Sequence, residues 1–223
     1  MSEIQEMKLL TCRVKKNGKE KFERTKRKST FFRQHSLPLE LITFLNKHEL
    51  NIHVCKGNIL DNSRLSTCLE LCSNNMKEIY DAANFQSVTS NIKGWSMDGK
   101  KKELCHRHAF IFLLLKKNTN SFVQGFLHFR FEKQNIPILY LYDIQFDKSL
   151  QAQGLGRMFM LYLEKIAKEK KLQKIICTVQ TNNEKAVNFY KNICGYTVDP
   201  SSPVSLDNSS TRGYEILSKT VHY

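Results

Sequence analysis

Residues 136–180 constrain the fold more than any other part of the chain. They open with the apolar run "IPILYLYDIQF", pass through Gln151-Ala152-Gln153-Gly154-Leu155-Gly156, continue as "LGRMFMLYLEKIAKEK" and close with "KIICTVQ". Leu155, Met158, Phe159, Tyr162, Leu163, Ile166 and Ala167 recur at the spacing of one buried helix face. The order is strand, glycine turn, helix, strand. A crossover helix makes Ile136–Phe146 and Lys174–Gln180 parallel, with a right-handed connection. The glycine turn opens that helix, whose first amides have no intrahelical partner and sit at the positive end of its dipole. Glycine there permits positive φ and close approach of a ligand to the backbone, so the turn is a candidate cradle for a pyrophosphate. Alone the motif is weak, since many such turns hold glycine only for packing.

The rest of the pattern supplies context. "LELITFL" after Pro38 has helical spacing, Asn51–Lys56 alternates like a strand, and Asp61–Ala82 reads as a helix capped by Asp61 or Ser63. Phe85–Leu104 is polar and holds glycine, which predicts a loop. "HAFIFLLLK", Ser121–Glu132 and Ile136–Phe146 are three apolar runs joined by short turns, hence antiparallel neighbours. A helix over Glu184–Asn192 and a last strand "GYEILSK" follow. The fold class is α/β (α+β), with a mixed central sheet flanked by helices.

Charge is unevenly spread. The first 35 residues carry eleven Lys or Arg against four Glu, half of the chain's net +14. Residues 1–35 therefore read as a basic, mobile arm, and 36–223 as one globular domain. Such an arm suits contact with nucleic acid. No apolar run reaches the roughly 18 residues of a membrane span, and the N-terminus has no signal-peptide pattern, so the expectation is a non-membrane protein inside the cell. The seven scattered cysteines make no disulfide framework. Cys105-His106-Arg107-His108 lacks the further ligands a metal would need, so no metal is expected.

A dinucleotide-binding fold fits poorly, because three antiparallel strands come first, and no Gly-Lys-Ser/Thr follows the glycines as a P-loop requires. What Gln151-x-x-Gly154-x-Gly156 resembles is the motif of the GCN5-related N-acetyltransferases, the GNAT superfamily. Asn183-Glu184-Lys185-Ala186-Val187-Asn188-Phe189-Tyr190, followed by Gly195-Tyr196, is similar to that family's later element. Within the superfamily, "NMKEIYDA", "GFLHFRFE", "LYLYDIQFDKSLQAQGLGRMF", "CTVQTNNEKAVNFYK", "DPSSP" and "GYEILS" resemble the N-alpha-acetyltransferase D family, across roughly Asn75 to Ser218.

The resemblance implies a GNAT fold with splayed parallel strands and acetyl transfer from acetyl-CoA to the N-terminal amine of histone 4 and histone 2A. Acetyl-CoA is then expected between Ile136–Phe146 and Lys174–Gln180. The main chain of Gln145, Phe146 and Asp147 would meet its pantetheine arm. Gln151, Ala152, Gln153, Gly154, Leu155 and Gly156 would hold the pyrophosphate, and Asn183 would also touch the cofactor. Histone N-terminal peptides would enter a pocket of Tyr80, Glu132, Tyr142, Thr178, Ser201 and Tyr214, walled by Phe85 and Trp95. The family has a carboxylate, usually glutamate, after the second tyrosine of the strand. Here it is Asp143, one methylene shorter, and it is the candidate general base, direct or through water. Tyr190 stands where family members protonate or hydrogen-bond the departing sulfur.

Elementary chemistry narrows the amine. An α-amine has a pKa of about 7.7–8.0 and lysine about 10.4, so an N-terminus needs only a modest base. A basic protein acting on a basic tail needs local acids, and Glu132, Asp143, Asp199 and Asp207 are the candidates. The expected partners are histone tails and, through the arm, ribosome or nucleic acid. The expected compartments are cytoplasm and nucleus, and the expected state is a monomer. A lysine or small-amine acetyltransferase of the same fold, and a non-catalytic nucleic-acid-binding module, are the alternatives.

Overall fold

The computed structural model describes residues 37–83, 94–117, 122–133, 135–203 and 213–223. The basic arm, Phe85 and Asp207 lie outside them. In chain order the elements are α1 Leu39–Lys47, β1 Leu50–Lys56, α2 Asn62–Ala82, α3 Met97–Leu104, β2 Phe110–Lys116, β3 Val123–Lys133 and β4 Pro137–Phe146. Then come α4 Leu155–Glu169, β5 Lys174–Gln180, α5 Glu184–Asn188, β6 Thr197–Val198 and β7 Tyr214–Thr220. The strands form one seven-stranded sheet, ordered β1-β2-β3-β4-β5-β7-β6. Every pair is antiparallel except β4 with β5, as the crossover helix requires.

Strand alternation sends side chains to two cores. Leu127 and Phe129 of β3, with Leu139 and Leu141 of β4, meet α1 through Leu41, Phe44 and Leu45, and meet α4 through Phe159, Leu163 and Ile166. Burying a Leu, Ile or Phe side chain contributes about 1.5–3 kcal/mol, so this stripe, not intrinsic propensity, holds α4 in place. Phe126 of β3 and Leu113 of β2 face the other way, onto Leu65, Cys68, Leu69 and Cys72 of α2 and Leu104 of α3. Asp61 caps α2 by accepting from the Arg64 amide at 3.0 Å.

Two expectations are corrected. The stretch read as a loop to Leu104 contains α3, whose Ser96 cap accepts from the Gly99 amide at 3.0 Å. The helix expected over Glu184–Asn192 ends as an α-helix at Asn188 and widens over Phe189–Ile193, where the Cys194 amide donates to the Phe189 carbonyl at 3.0 Å.

Two irregularities in β4 shape the site. Its pairing with β5 runs only from Ile138↔Lys174 to Leu141↔Cys177; beyond that the strands part. Against β3, His128 faces Asp143 but Phe129 faces Leu141, so Tyr142 is an extra residue, a β-bulge. The bulge breaks the alternation of a regular strand. Tyr142 and Asp143 both lie toward the α2/α3 face, while Ile144 packs against the core under α4.

His53 of β1 gives a pH prediction. Burial, with the Arg64 charge adding to it, pushes its imidazole down to about 4. The unfolded chain takes up this proton near pH 6.5, while the folded chain resists it. Stability is thus full above about pH 6.5 and falls as pH drops from there toward 4, by about 3 kcal/mol. Chemical denaturation across that window should show the loss, and His53→Gln should flatten it.

Candidate active site

The mouth of the β4–β5 gap is built by alternate residues of β3. His128, Arg130 and Glu132 share one face, and all three hold Tyr142. Its ring stacks on His128 with centroids 4.7 Å apart. The Arg130 guanidinium lies 4.2 Å from the ring centroid. Its hydroxyl donates to Glu132 Oε1 at 2.8 Å. Across the gap, Tyr140 and Thr178 hydroxyls are hydrogen-bonded at 2.5 Å. Tyr80, on α2, packs edge-on to Trp95 with centroids 5.8 Å apart, and burial pushes its hydroxyl up to about 12. A cavity of about 40 Å³ beside them is lined by Tyr80, Gly94, Trp95, Ser96, Gly99, Lys100 and Glu103.

Asp143 lies two residues beyond the last parallel pair. It is 7% exposed, and its carboxylate is fully engaged. Lys100 Nζ reaches Oδ1 at 3.0 Å and Oδ2 at 3.3 Å, His128 Nδ1 reaches Oδ2 at 3.1 Å, and the Cys72 thiol donates to Oδ1 at 3.7 Å. Burial alone would raise the Asp143 pKa; Lys100 and the His128 hydrogen bond outweigh it and hold the group well below the usual carboxylate range. Burial lowers the His128 pKa, so its ring is neutral and Nδ1 carries the proton given to Asp143. Lys100 also meets Glu103 Oε2 at 2.7 Å. The expected base is therefore a fixed anion, and accepting a proton would mean releasing a partner.

The cofactor side follows from main-chain geometry. The Asp147 amide donates to the Gln124 carbonyl at 2.7 Å, so by strand alternation Asp147 and Gln145 turn their peptide groups to β3, while Ile144 and Phe146 turn theirs to the gap. Of the three residues expected along a pantetheine arm, Phe146 alone is so placed, and its carbonyl already accepts from Asn75 at 3.1 Å and Gln151 Nε2 at 2.8 Å. In the turn, Ala152 (φ 57°) and Gly154 (φ 82°) are left-handed, and the Gly154 carbonyl accepts the first helical bond, from Met158, at 3.1 Å. No side chain caps α4 and no acid sits in its first turn. A Cβ on Gly156 would come within 3.1 Å of the Phe189 ring, so the glycine lets the helix start lie against the wide turn that follows α5. An uncapped helix start entered through left-handed residues fits a pyrophosphate.

Other expected residues are held by local structure. Asn183 caps α5, accepting from the Ala186 amide at 3.1 Å. The Ser201 hydroxyl donates to Asp199 Oδ1 at 2.6 Å, and Asp199 also binds Lys174 Nζ at 2.6 Å. Asp199 and Asp143, both expected to pair a substrate arginine, are thus neutralised within the protein. Tyr214 pairs with Gln180 at the far end of β5. Tyr190 is buried in the wide turn, and burial pushes its hydroxyl pKa up. Sequence reasoning passed over Lys100, Glu103, His128, Arg130 and Asn75. The F-R-F-E alternation in β3 signals that His128, Arg130 and Glu132 share a face; Lys100, inside "GKKKE", has no such signal. Among the described residues, no group of three or more His, Cys, Asp or Glu is placed to hold a metal ion.

Strands that part over an uncapped helix start leave a gap whose mouth has the geometry to hold a pyrophosphate. The acetyltransferase (GNAT) family matches residues 75–196, more than half of the chain. The chain belongs to this family, and it is an acetyltransferase of GNAT type acting with CoA. It shares its fold with GCN5 of Tetrahymena, at 14% identity and a TM-score of 0.53, over 78% of this chain and 96% of that one. It is also similar to the PaiA N-acetyltransferase of Thermoplasma acidophilum in complex with coenzyme A. There the identity is 16% and the TM-score 0.50, over 76% of this chain and 99% of that one.

Proposed function

We propose that the chain is an N-alpha-acetyltransferase that moves the acetyl group of acetyl-CoA to the N-terminal amine of histone 4 and histone 2A, whose tails begin Ser-Gly-Arg-Gly. The observation that carries the choice of amine is the engagement of Asp143 by Lys100 and His128. A carboxylate held so far down is a weak base. It suits an amine with a pKa of about 7.7–8.0, partly neutral before it binds, and not a lysine at about 10.4. The resemblance of "DPSSP" and "GYEILS" supports the same substrate.

In this reading the amides of residues 151–156 hold the pyrophosphate and the Phe146 main chain meets the pantetheine arm. Asn183 shapes the adjoining helix start. The amine nitrogen bonds to the acetyl carbon, the carbon–sulfur bond breaks, the amine's proton leaves to solvent, and CoA departs as a thiolate that takes a proton back from solvent to become its thiol. The Ile144 amide stabilises charge on the carbonyl oxygen, and Tyr190 donates a hydrogen bond to the departing sulfur. Asp143 orients and does not titrate. Tyr80, Glu132, Tyr142, Thr178, Ser201 and Tyr214 receive the peptide, with Glu132 the acid for its arginine. The basic arm tethers this monomer to ribosomal RNA or nucleosomal DNA, in cytoplasm and nucleus.

The test compares a Ser-Gly-Arg-Gly peptide carrying one lysine with the same peptide blocked at its N-terminus. The free peptide is expected to be acetylated once, at its first residue, and the blocked one left unmodified. Equal acetylation of both would assign the site to lysine or other amines.

A further inference from the structure

We infer that Lys100 is a positioning residue for the acceptor amine: its buried ammonium offsets the charge of Asp143, so that a primary amine entering beside Asp143 is favoured in its neutral, attacking form. The inference rests on the amine-acetylating reading above. Lysines are almost never buried unless paired, and Lys100 is 8% exposed on a short helix that otherwise buries only Gly99 and Leu104. Its Nζ bridges two carboxylates on separate elements, Asp143 of β4 at 3.0 Å and Glu103 of α3 at 2.7 Å.

The charge balance around it gives the role. Asp143 comes from β4, His128 and Arg130 from β3, Glu103 from Lys100's own helix, and Cys72 and Tyr80 from α2. His128 is neutral, and burial keeps Cys72 and Tyr80 protonated. Arg130 borders the cluster as a second cation, donating to the Glu103 carbonyl at 2.8 Å and covering the Tyr142 ring that stacks on His128. An unopposed Asp143 at the mouth of the gap would favour the ammonium form of the incoming amine. One unit charge about 6 Å away, at an effective dielectric of about 20, moves a pKa by up to about two units. Attack needs the lone pair, so such an anion slows the reaction at neutral pH. Lys100, shared with Glu103, lowers that penalty while leaving the Asp143 oxygens fixed in place.

The test is the pH dependence of kcat for the Ser-Gly-Arg-Gly peptide at saturating acetyl-CoA, which reports ionisation in the bound complex. Lys100→Met removes a cation, and the acid-side midpoint of kcat is expected to rise by about one unit. Glu103→Gln removes an anion from the same cluster, and the midpoint is expected to fall. CoA affinity measured by calorimetry is expected to stay the same in both. A purely structural lysine would lower kcat across all pH values and leave the midpoints alone. Midpoints that coincide with wild type, or that move in the same direction in both variants, would overturn the inference. Should Lys100→Met fail to fold, Glu103→Gln alone decides, and an unmoved midpoint rejects the idea. A wild-type protein that binds CoA yet leaves the peptide unmodified removes the parent reading and this inference together. Active wild type with unmoved midpoints removes this inference only.

Discussion

Asp143→Asn is expected to lower kcat for the Ser-Gly-Arg-Gly peptide by about 100-fold while leaving CoA affinity unchanged. Asparagine keeps the shape but loses the charge. Its amide nitrogen cannot accept from His128 Nδ1, which donates to Asp143 at 3.1 Å. Lys100 is left buried with Glu103 as its remaining anion, and breaking a buried pair costs about 3–5 kcal/mol. The variant is therefore expected to be less stable as well as slower. Adding Lys100→Met removes the stranded cation, so the double variant should regain stability over Asp143→Asn without regaining wild-type turnover. Stopped-assay kinetics beside denaturant titration separate the two effects. Turnover equal to wild type would take Asp143 out of the reaction.

The second large effect is at the cofactor. Gly156→Asp should weaken CoA binding by about 100-fold or more, through two additive causes. The new Cβ would sit 3.1 Å from the Phe189 ring, which must give way, and overpacking of that kind costs about 1–3 kcal/mol. The carboxylate also places an anion in the first turn of α4, where none stands now and where a pyrophosphate would be repelled. Isothermal calorimetry measures the change directly, and the peptide KM at saturating cofactor should move little. Unchanged CoA affinity would mean the phosphates sit elsewhere.

How far the sequence revealed this site depended on the range of the interaction. The β4–α4–β5 unit was legible because strand runs, helical spacing and two glycines are local signals, and α4 buries Leu155, Phe159, Tyr162, Leu163, Ile166 and Ala167 as its spacing implied. Helix α3 was not. It buries Gly99, Lys100 and Leu104, so its inward face reads as a solvated lysine run until Asp143, 43 residues away, is brought against it. The bulge at Tyr142 was equally hidden, because an extra residue in one strand shows only in its register with β3. That one residue turned Asp143 toward Lys100 and His128 and changed its reading from proton acceptor to fixed anion. Asn183 and Gln151 kept their places in the turn regions, but their side chains serve the backbone of their own neighbourhood.

A crystal structure with CoA bound tests the central claim most directly. The pyrophosphate oxygens should lie within about 3 Å of the main-chain amides that open α4, with the pantetheine arm passing along Phe146 into the gap past Leu141. Cofactor density lodged on another surface, with the glycine turn untouched, would contradict it.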